Sequence, residues 1–140
     1  AQSVMGQTKR LGETMVRNAG FTAVRFGNVM GSRGSVIPTW ERQVKNKKPI
    51  TITDKRMKRY FMSISEACSL VIEAMYTARG GETVILNMGN LKSLVELKEE
   101  MFPKYPIIYI GIRKGETLEE RLMTNEESLQ AKRKGKFYVI

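Results

Sequence analysis

Apolar residues recur along this chain in two rhythms, one helical and one extended. Over residues 3–18, Val4, Leu11, Met15 and Val16 fall near helical spacing among Lys9, Arg10, Glu13 and Arg17, which predicts an amphipathic helix. Asn18-Ala19-Gly20 is a stop signal, because glycine is free to take the left-handed conformation. Residues 21–26 are strand-like. A glycine-rich turn then leads to a helix over 37–46, with Pro38 tolerable in its first turn. Short β segments are expected over 49–53 and 60–62. Over 65–78, Ala67, Leu70, Val71, Ala74 and Met75 make one apolar helical face that Ser65 can cap, and Arg79-Gly80-Gly81 ends it. A buried strand over 83–87, a turn at 88–90, a helix over 93–102 and a strand over 106–110 follow. A short helix over 117–122 and a terminal strand over 137–140 complete the pattern. Strands and helices alternating through short loops place the chain in the α/β class.

Composition narrows the chemistry. The 140 residues suffice for one domain with a core and are too few for two ordinary ones, and the 41% hydrophobic and 27% charged fractions are those of a globular chain. No apolar run approaches the roughly 20 residues of a membrane helix. Ala1-Gln2-Ser3-Val4 has no basic-then-apolar signal pattern, so a cytoplasmic location is the default expectation. Cys68 is the single cysteine, which excludes an internal disulfide. Its neighbours Ala67, Leu70 and Val71 predict a buried small hydrophobe. With no histidine, a transition-metal site is not expected, and Ser-His-Asp or Cys-His catalysis by this chain is excluded.

The formal net charge of +10 raises the question of polyanions. Basic residues cluster over 45–48, 55–59 and 132–136. Such clusters suit nucleic-acid backbones, ordinary solvated surface, or the walls of a site for a small dianionic ligand. No nucleic-acid-binding module accompanies them, so no nucleic-acid partner is expected. Arg56, Lys58 and the 132–136 cluster read as solvated, and Trp40 and Phe61 as core or interface residues.

The chemically dense segment is Arg25-Phe26-Gly27-Asn28-Val29-Met30-Gly31-Ser32-Arg33-Gly34-Ser35-Val36-Ile37-Pro38. A short strand running into a glycine-rich turn with amide, guanidinium and hydroxyl groups is how an α/β protein meets a phosphorylated ligand at a strand's carboxyl end. Upstream, Met5-Gly6-Gln7-Thr8-Lys9 occupies the place of a Tyr-x-x-x-Lys pair. The chain has no Gly-x-x-Gly-x-x-Gly after a first strand, and it opens on a helix without the strands such a helix would cover.

Four segments in this order carry a family likeness: Asn-Val-Met-Gly-Ser-Arg-Gly-Ser-Val-Ile-Pro (28–38), Pro-Ile-Thr-Ile-Thr-Asp (49–54), Met-Lys-Arg-Tyr-Phe-Met (57–62) and Gly-Ile-Arg-Lys-Gly-Glu-Thr-Leu-Glu-Glu (111–120). From Ser3 to about Ser128 the chain resembles the carboxyl-terminal half of extended short-chain dehydrogenase/reductases. More narrowly, it is similar to the CapD-like polysaccharide biosynthesis family of UDP-N-acetylglucosamine 4,6-dehydratases.

The resemblance implies a Rossmann-like α/β fold, with 1–48 closing the nucleotide-binding fold and 49–140 forming mainly a UDP-sugar-binding subdomain. It implies NADP or NAD in the full-length family, with no cofactor held by this chain alone. The family reaction moves hydride from sugar carbon 4 to the cofactor, loses water across carbons 5 and 6, and returns the hydride at carbon 6. Lys9 would bond the nicotinamide ribose. Met5 stands where most relatives carry the tyrosine base, and some family members also carry methionine there. A thioether cannot serve as a general base. By the same resemblance Asn28 would hold a diphosphate or sugar oxygen through its amide. Arg33 would support the loop or approach the phosphates, and Thr51 and Thr53 would meet the uracil edge. Arg59 and Arg113 would grip the diphosphate, and Glu116 would accept from ribose hydroxyls. The expected partners are a UDP-sugar and either a second copy or a missing amino-terminal half, which would cover apolar surface on helix 3–18 and strand 22–26. The alternative is a non-catalytic nucleotide- or partner-binding module on the same fold.

Overall fold

The computed structural model describes residues 3–140. In chain order these form α1 (Val4–Asn18), β1 (Ala23–Arg25), β2 (Asn28–Val29), α2 (Val36–Lys45), β3 (Ile50–Ile52), β4 (Lys58–Arg59), β5 (Phe61–Met62) and α3 (Ile64–Thr77). They continue as β6 (Thr83–Leu86), β7 (Lys92–Ser93), α4 (Leu94–Met101), β8 (Ile107–Tyr109), α5 (Asn125–Gln130), β9 (Lys132–Lys134) and β10 (Phe137–Val139). The architecture is mixed α/β. The chain alternates between two compact units, one made of residues up to Phe26 with Ser65–Met88 and Arg121–Ile140, the other of Gly27–Ile64 and Gly89–Glu120. The boundary expected at 48/49 therefore falls inside the second unit.

The first unit is built on a four-stranded sheet in the order β1-β6-β10-β9. β1 lies parallel to β6, pairing Val24 with Val84, whereas β10 runs antiparallel to both β6 and β9. Val84, Ile85, Phe137 and Val139 are buried. From α3, Ala67, Leu70 and Ala74 are buried, whereas Val71 and Met75 of the predicted face are exposed. Cys68 is exposed too, contrary to the buried position expected from its neighbours, because it lies off the Ala67-Leu70-Ala74 stripe. α1 starts where Ser3 accepts a hydrogen bond from the Gly6 N–H at 3.1 Å, yet none of its residues is buried.

Arg25 joins three elements of this unit. Its guanidinium donates to both carboxylate oxygens of Glu13 on α1 (2.8 and 2.6 Å), to both of Glu127 on α5 (2.8 Å each), and to the Leu122 carbonyl. Glu13 also accepts from the Thr83 hydroxyl at the start of β6.

The second unit packs Ile37, Trp40, Ile50, Ile52, Met57, Leu94 and Leu97 into one core. β3 pairs in parallel with β8, β2 in parallel with β5, and β4 antiparallel with β7. α4 begins in a capping box, Ser93 and Glu96 each satisfying the other's backbone N–H.

The local structure differs from the sequence pattern at three points. The helix expected over 117–122 does not form, because the Leu118 carbonyl accepts from Lys58 N–H and Arg59, and the Thr117 carbonyl from Arg59. Those acceptors are lost to a helical ladder. Instead α5 forms a few residues on, behind a Thr124/Glu127 capping box. Part of the basic 132–136 cluster is a strand, β9, because β10 supplies its hydrogen-bond partners. α3 also begins at Ile64, so Ser65 lies inside it rather than capping it.

Candidate functional site

The site is assembled within the second unit. β2 ends at Val29, and a turn through Gly31 and Gly34, both at φ +76°, turns the chain into α2. That backbone region is one where a side chain would be strained, which accounts for the two glycines. β3 brings in Thr51, with Thr53 just beyond its end, β5 brings in Phe61, and the turn over 111–116 brings in Arg113 and Glu116.

These segments surround a cavity of about 300 Å³, at the lower end for small-molecule sites. Six of the predicted residues line it: Asn28, Thr51, Thr53, Arg59, Arg113 and Glu116. Trp40, Phe61 and Ile110 supply apolar wall. Arg33 is exposed and lies outside this lining. Met5 and Lys9 belong to the first unit, exposed one helical turn apart on α1.

Hydrogen bonding within the unit decides what each side chain has left for a ligand. The Asn28 amide NH2 donates to the Tyr60 carbonyl (3.2 Å) and to the Glu120 carboxylate (2.9 Å). Both neighbours are acceptors, so the orientation of the amide is settled, and its Oδ1 is the atom left over. Asn28 therefore suits a ligand hydroxyl, which can donate, rather than a phosphate oxygen. Of the two expected roles, diphosphate or sugar oxygen, the engaged NH2 favours the sugar. Glu120, which ends the fourth family segment, had no expected role of its own.

Arg59 donates from Nη1 to the Lys58 and Leu118 carbonyls (2.7 and 3.0 Å) and from Nη2 to the Thr117 carbonyl (2.8 Å). Its Nε–H and one further Nη2–H remain from five donors, on a guanidinium held in place by three carbonyls. Glu116 Oε1 stands 3.9 Å from Nη2, an ion pair without a hydrogen bond. The Arg113 N–H donates to Glu116 Oε2 (3.1 Å), and the Glu116 N–H returns a bond to the Arg113 carbonyl (3.0 Å), closing the turn. The Arg113 guanidinium makes no ion pair with the described residues.

Thr51 is more constrained than expected. Its N–H donates to Gln43 Oε1, its carbonyl accepts from Trp40 Nε1 (3.1 Å), and its hydroxyl oxygen accepts from Gln43 Nε2. The N–H is thus spent within the unit, and the carbonyl and hydroxyl oxygens each already accept one hydrogen bond. Ser35, which precedes α2 and lines the cavity, has a buried hydroxyl with no hydrogen-bond partner. Asp54, at the end of the second family segment, is held at about 2 by side-chain and backbone hydrogen bonds from Arg56. Among the described residues no cluster of His, Cys, Asp and Glu fits a metal ion, and no helix is long and apolar enough to cross a membrane.

Toward a dinucleotide the described residues of the first unit offer no glycine cradle after a strand. They do not fit that cofactor by themselves.

The polysaccharide biosynthesis protein family model matches residues 1–140. The chain is 42% identical to the probable polysaccharide biosynthesis protein EpsC of Bacillus subtilis, over 89% of this chain and 23% of that protein. It is likewise 42% identical to the capsular polysaccharide biosynthesis protein CapD of Staphylococcus aureus, with the same coverage. Among solved structures, Pen from Bacillus thuringiensis superimposes with a TM-score of 0.88 at 44% identity, over 96% of this chain and 47% of that one. The dTDP-glucose 4,6-dehydratase of Bacillus anthracis shares the fold, with a TM-score of 0.74 at 17% identity, over 89% of this chain and 44% of that one. The chain thus spans about a quarter of these two curated relatives and about half of the two solved structures.

Proposed function

The chain belongs to the polysaccharide biosynthesis protein family, and from that premise we propose that its second unit is the UDP-sugar-binding portion of a nucleotide-sugar 4,6-dehydratase or related epimerase. One observation carries this: Asn28, Arg59, Arg113 and Glu116, drawn from three separate segments, converge on one cavity.

The roles follow from the groups left unengaged. Arg113 and the two remaining donors of Arg59 face the diphosphate, where guanidinium matches paired oxygens. Glu116 Oε1 accepts from a ribose hydroxyl, Asn28 Oδ1 accepts from a sugar hydroxyl, and Thr53 meets the base. NAD or NADP would supply hydride chemistry in the full-length family. This chain's part is to bind and orient the nucleotide-sugar, with Lys9 toward the nicotinamide ribose. With methionine at position 5, the chain brings no base from the tyrosine position. The exposed Val4, Leu11 and Met15 of α1 support the expected pairing with a second copy or a further segment.

The test is calorimetric titration of UDP-N-acetylglucosamine and UDP into the chain, with a product assay for the 4-keto-6-deoxy sugar in the presence of NADP. Binding without turnover is the expected result. Absence of nucleotide binding refutes the proposal. The non-catalytic alternative is favoured by the Met5 thioether. It predicts no product even after a candidate amino-terminal half and NADP are supplied.

A further inference from the structure

Gln43 on α2 meets Thr51 on β3 twice. The Thr51 N–H donates to Gln43 Oε1 at 3.0 Å, and Gln43 Nε2 donates to the Thr51 hydroxyl oxygen at 2.8 Å. A backbone N–H can only donate, so it fixes which end of the amide is oxygen. The end facing the hydroxyl must then be NH2, which donates and does not accept. The Thr51 hydroxyl proton is therefore barred from Gln43. It finds no acceptor among the described residues, and Thr51 lines the cavity. Trp40, fully buried one turn before Gln43, holds the Thr51 carbonyl and anchors the pair.

We propose that Gln43 is a positioning residue that sets specificity: it fills one lone pair of the Thr51 hydroxyl and refuses its proton, which is thereby left for the cavity and favours a ligand atom that accepts. This rests on the nucleotide-sugar reading, under which that atom is the O4 carbonyl of uracil. Cytosine places an amino group, a donor, at the same position. A neutral side chain that never touches the ligand thereby discriminates between bases of equal size.

The experiment measures UDP and CDP affinities by calorimetry for the 140-residue chain and for Gln43→Glu, Thr51→Val and Thr51→Ser. Glutamate at position 43 still accepts from the Thr51 N–H, but its second oxygen now accepts the hydroxyl proton and draws it away from the cavity. UDP and CDP carry the same phosphate charge, so the repulsion of an added carboxylate cancels in their ratio. The parent chain is expected to prefer UDP. Gln43→Glu and Thr51→Val should each lower the UDP/CDP ratio by about three- to tenfold, the worth of one hydrogen bond, and Thr51→Ser should keep it. Thr51→Val carries the test if Gln43→Glu does not fold. UDP binding with a ratio unchanged in both variants overturns this inference and leaves the nucleotide site standing. Failure of UDP to bind the parent chain overturns the nucleotide-sugar reading, and this inference with it.

Discussion

Arg25 and Glu127 meet through two hydrogen bonds of 2.8 Å across 102 positions of sequence. The same guanidinium grips Glu13, so one cation on β1 neutralises two carboxylates from α1 and α5. This half-buried triad fixes a segment that has few apolar contacts of its own, since no residue of α5 is buried.

Acid should loosen this unit. Hydrogen bonds from Arg25, opposed by burial, hold Glu127 at about 2, below its ordinary 4.5. Burial pushes Glu13 up, but hydrogen bonds from Arg25 and Thr83 outweigh it and leave it lowered. A carboxylate with a depressed folded pKa is protonated more readily in the unfolded chain. Its stabilisation is therefore complete above about pH 4.5 and lost as pH falls toward about 2. Denaturant midpoints followed by circular dichroism should hold steady from neutral pH to about 5 and drop below it. Arg25→Met should cost about 1–3 kcal/mol near neutrality and flatten that drop. An equally steep acid limb in the variant would exclude the triad as its source.

Arg113→Ala should weaken UDP by about 1–3 kcal/mol, the worth of a charged hydrogen-bond partner. Its guanidinium makes no ion pair among the described residues, so thermal stability should barely move. Unchanged UDP affinity in calorimetry removes Arg113 from the diphosphate site.

Asn28→Ala should reduce affinity for UDP-N-acetylglucosamine by about three- to tenfold and leave UDP nearly unaffected. Its remaining acceptor suits a sugar hydroxyl. Equal losses for both ligands would return Asn28 to the phosphates.

Trp40→Ala should destabilise the second unit by about 3–5 kcal/mol, because it empties a fully buried site and frees the Thr51 carbonyl. Chemical denaturation measures this directly, and a loss under about 1 kcal/mol would contradict the packing described for the core.

Much of the local structure was legible. The spacing over 3–18, the stop at Gly20 and the stripe Ala67-Leu70-Ala74 anticipate α1 and α3 to within a residue or two. The capping signal Thr124-x-x-Glu127 was equally open to view, yet α5 went unseen because its six residues carry no apolar stripe. β9 was hidden for a different reason: Lys132-Arg133-Lys134 has no strand pattern, and only the backbone groups of β10 make it one.

At the site, residue types and family order pointed to Asn28, Arg59, Arg113 and Glu116, and these do line one cavity. The hydrogen-bonding capacity left to each could not be read the same way. That Asn28 keeps an acceptor, that Arg59 keeps two donors, and that Thr51 keeps its hydroxyl proton depend on Glu120, Thr117, Leu118 and Gln43.

The order of residues alone determined the α/β alternation, the positions of the main helices and the family, because periodicity, caps and motif spacing are properties of neighbours along the chain. Only the tertiary structure decided which polar atoms stay open in the cavity and which carboxylates close on Arg25. Those outcomes depend on partners brought within about 3 Å from as far as 102 positions away, and no local pattern encodes such a meeting.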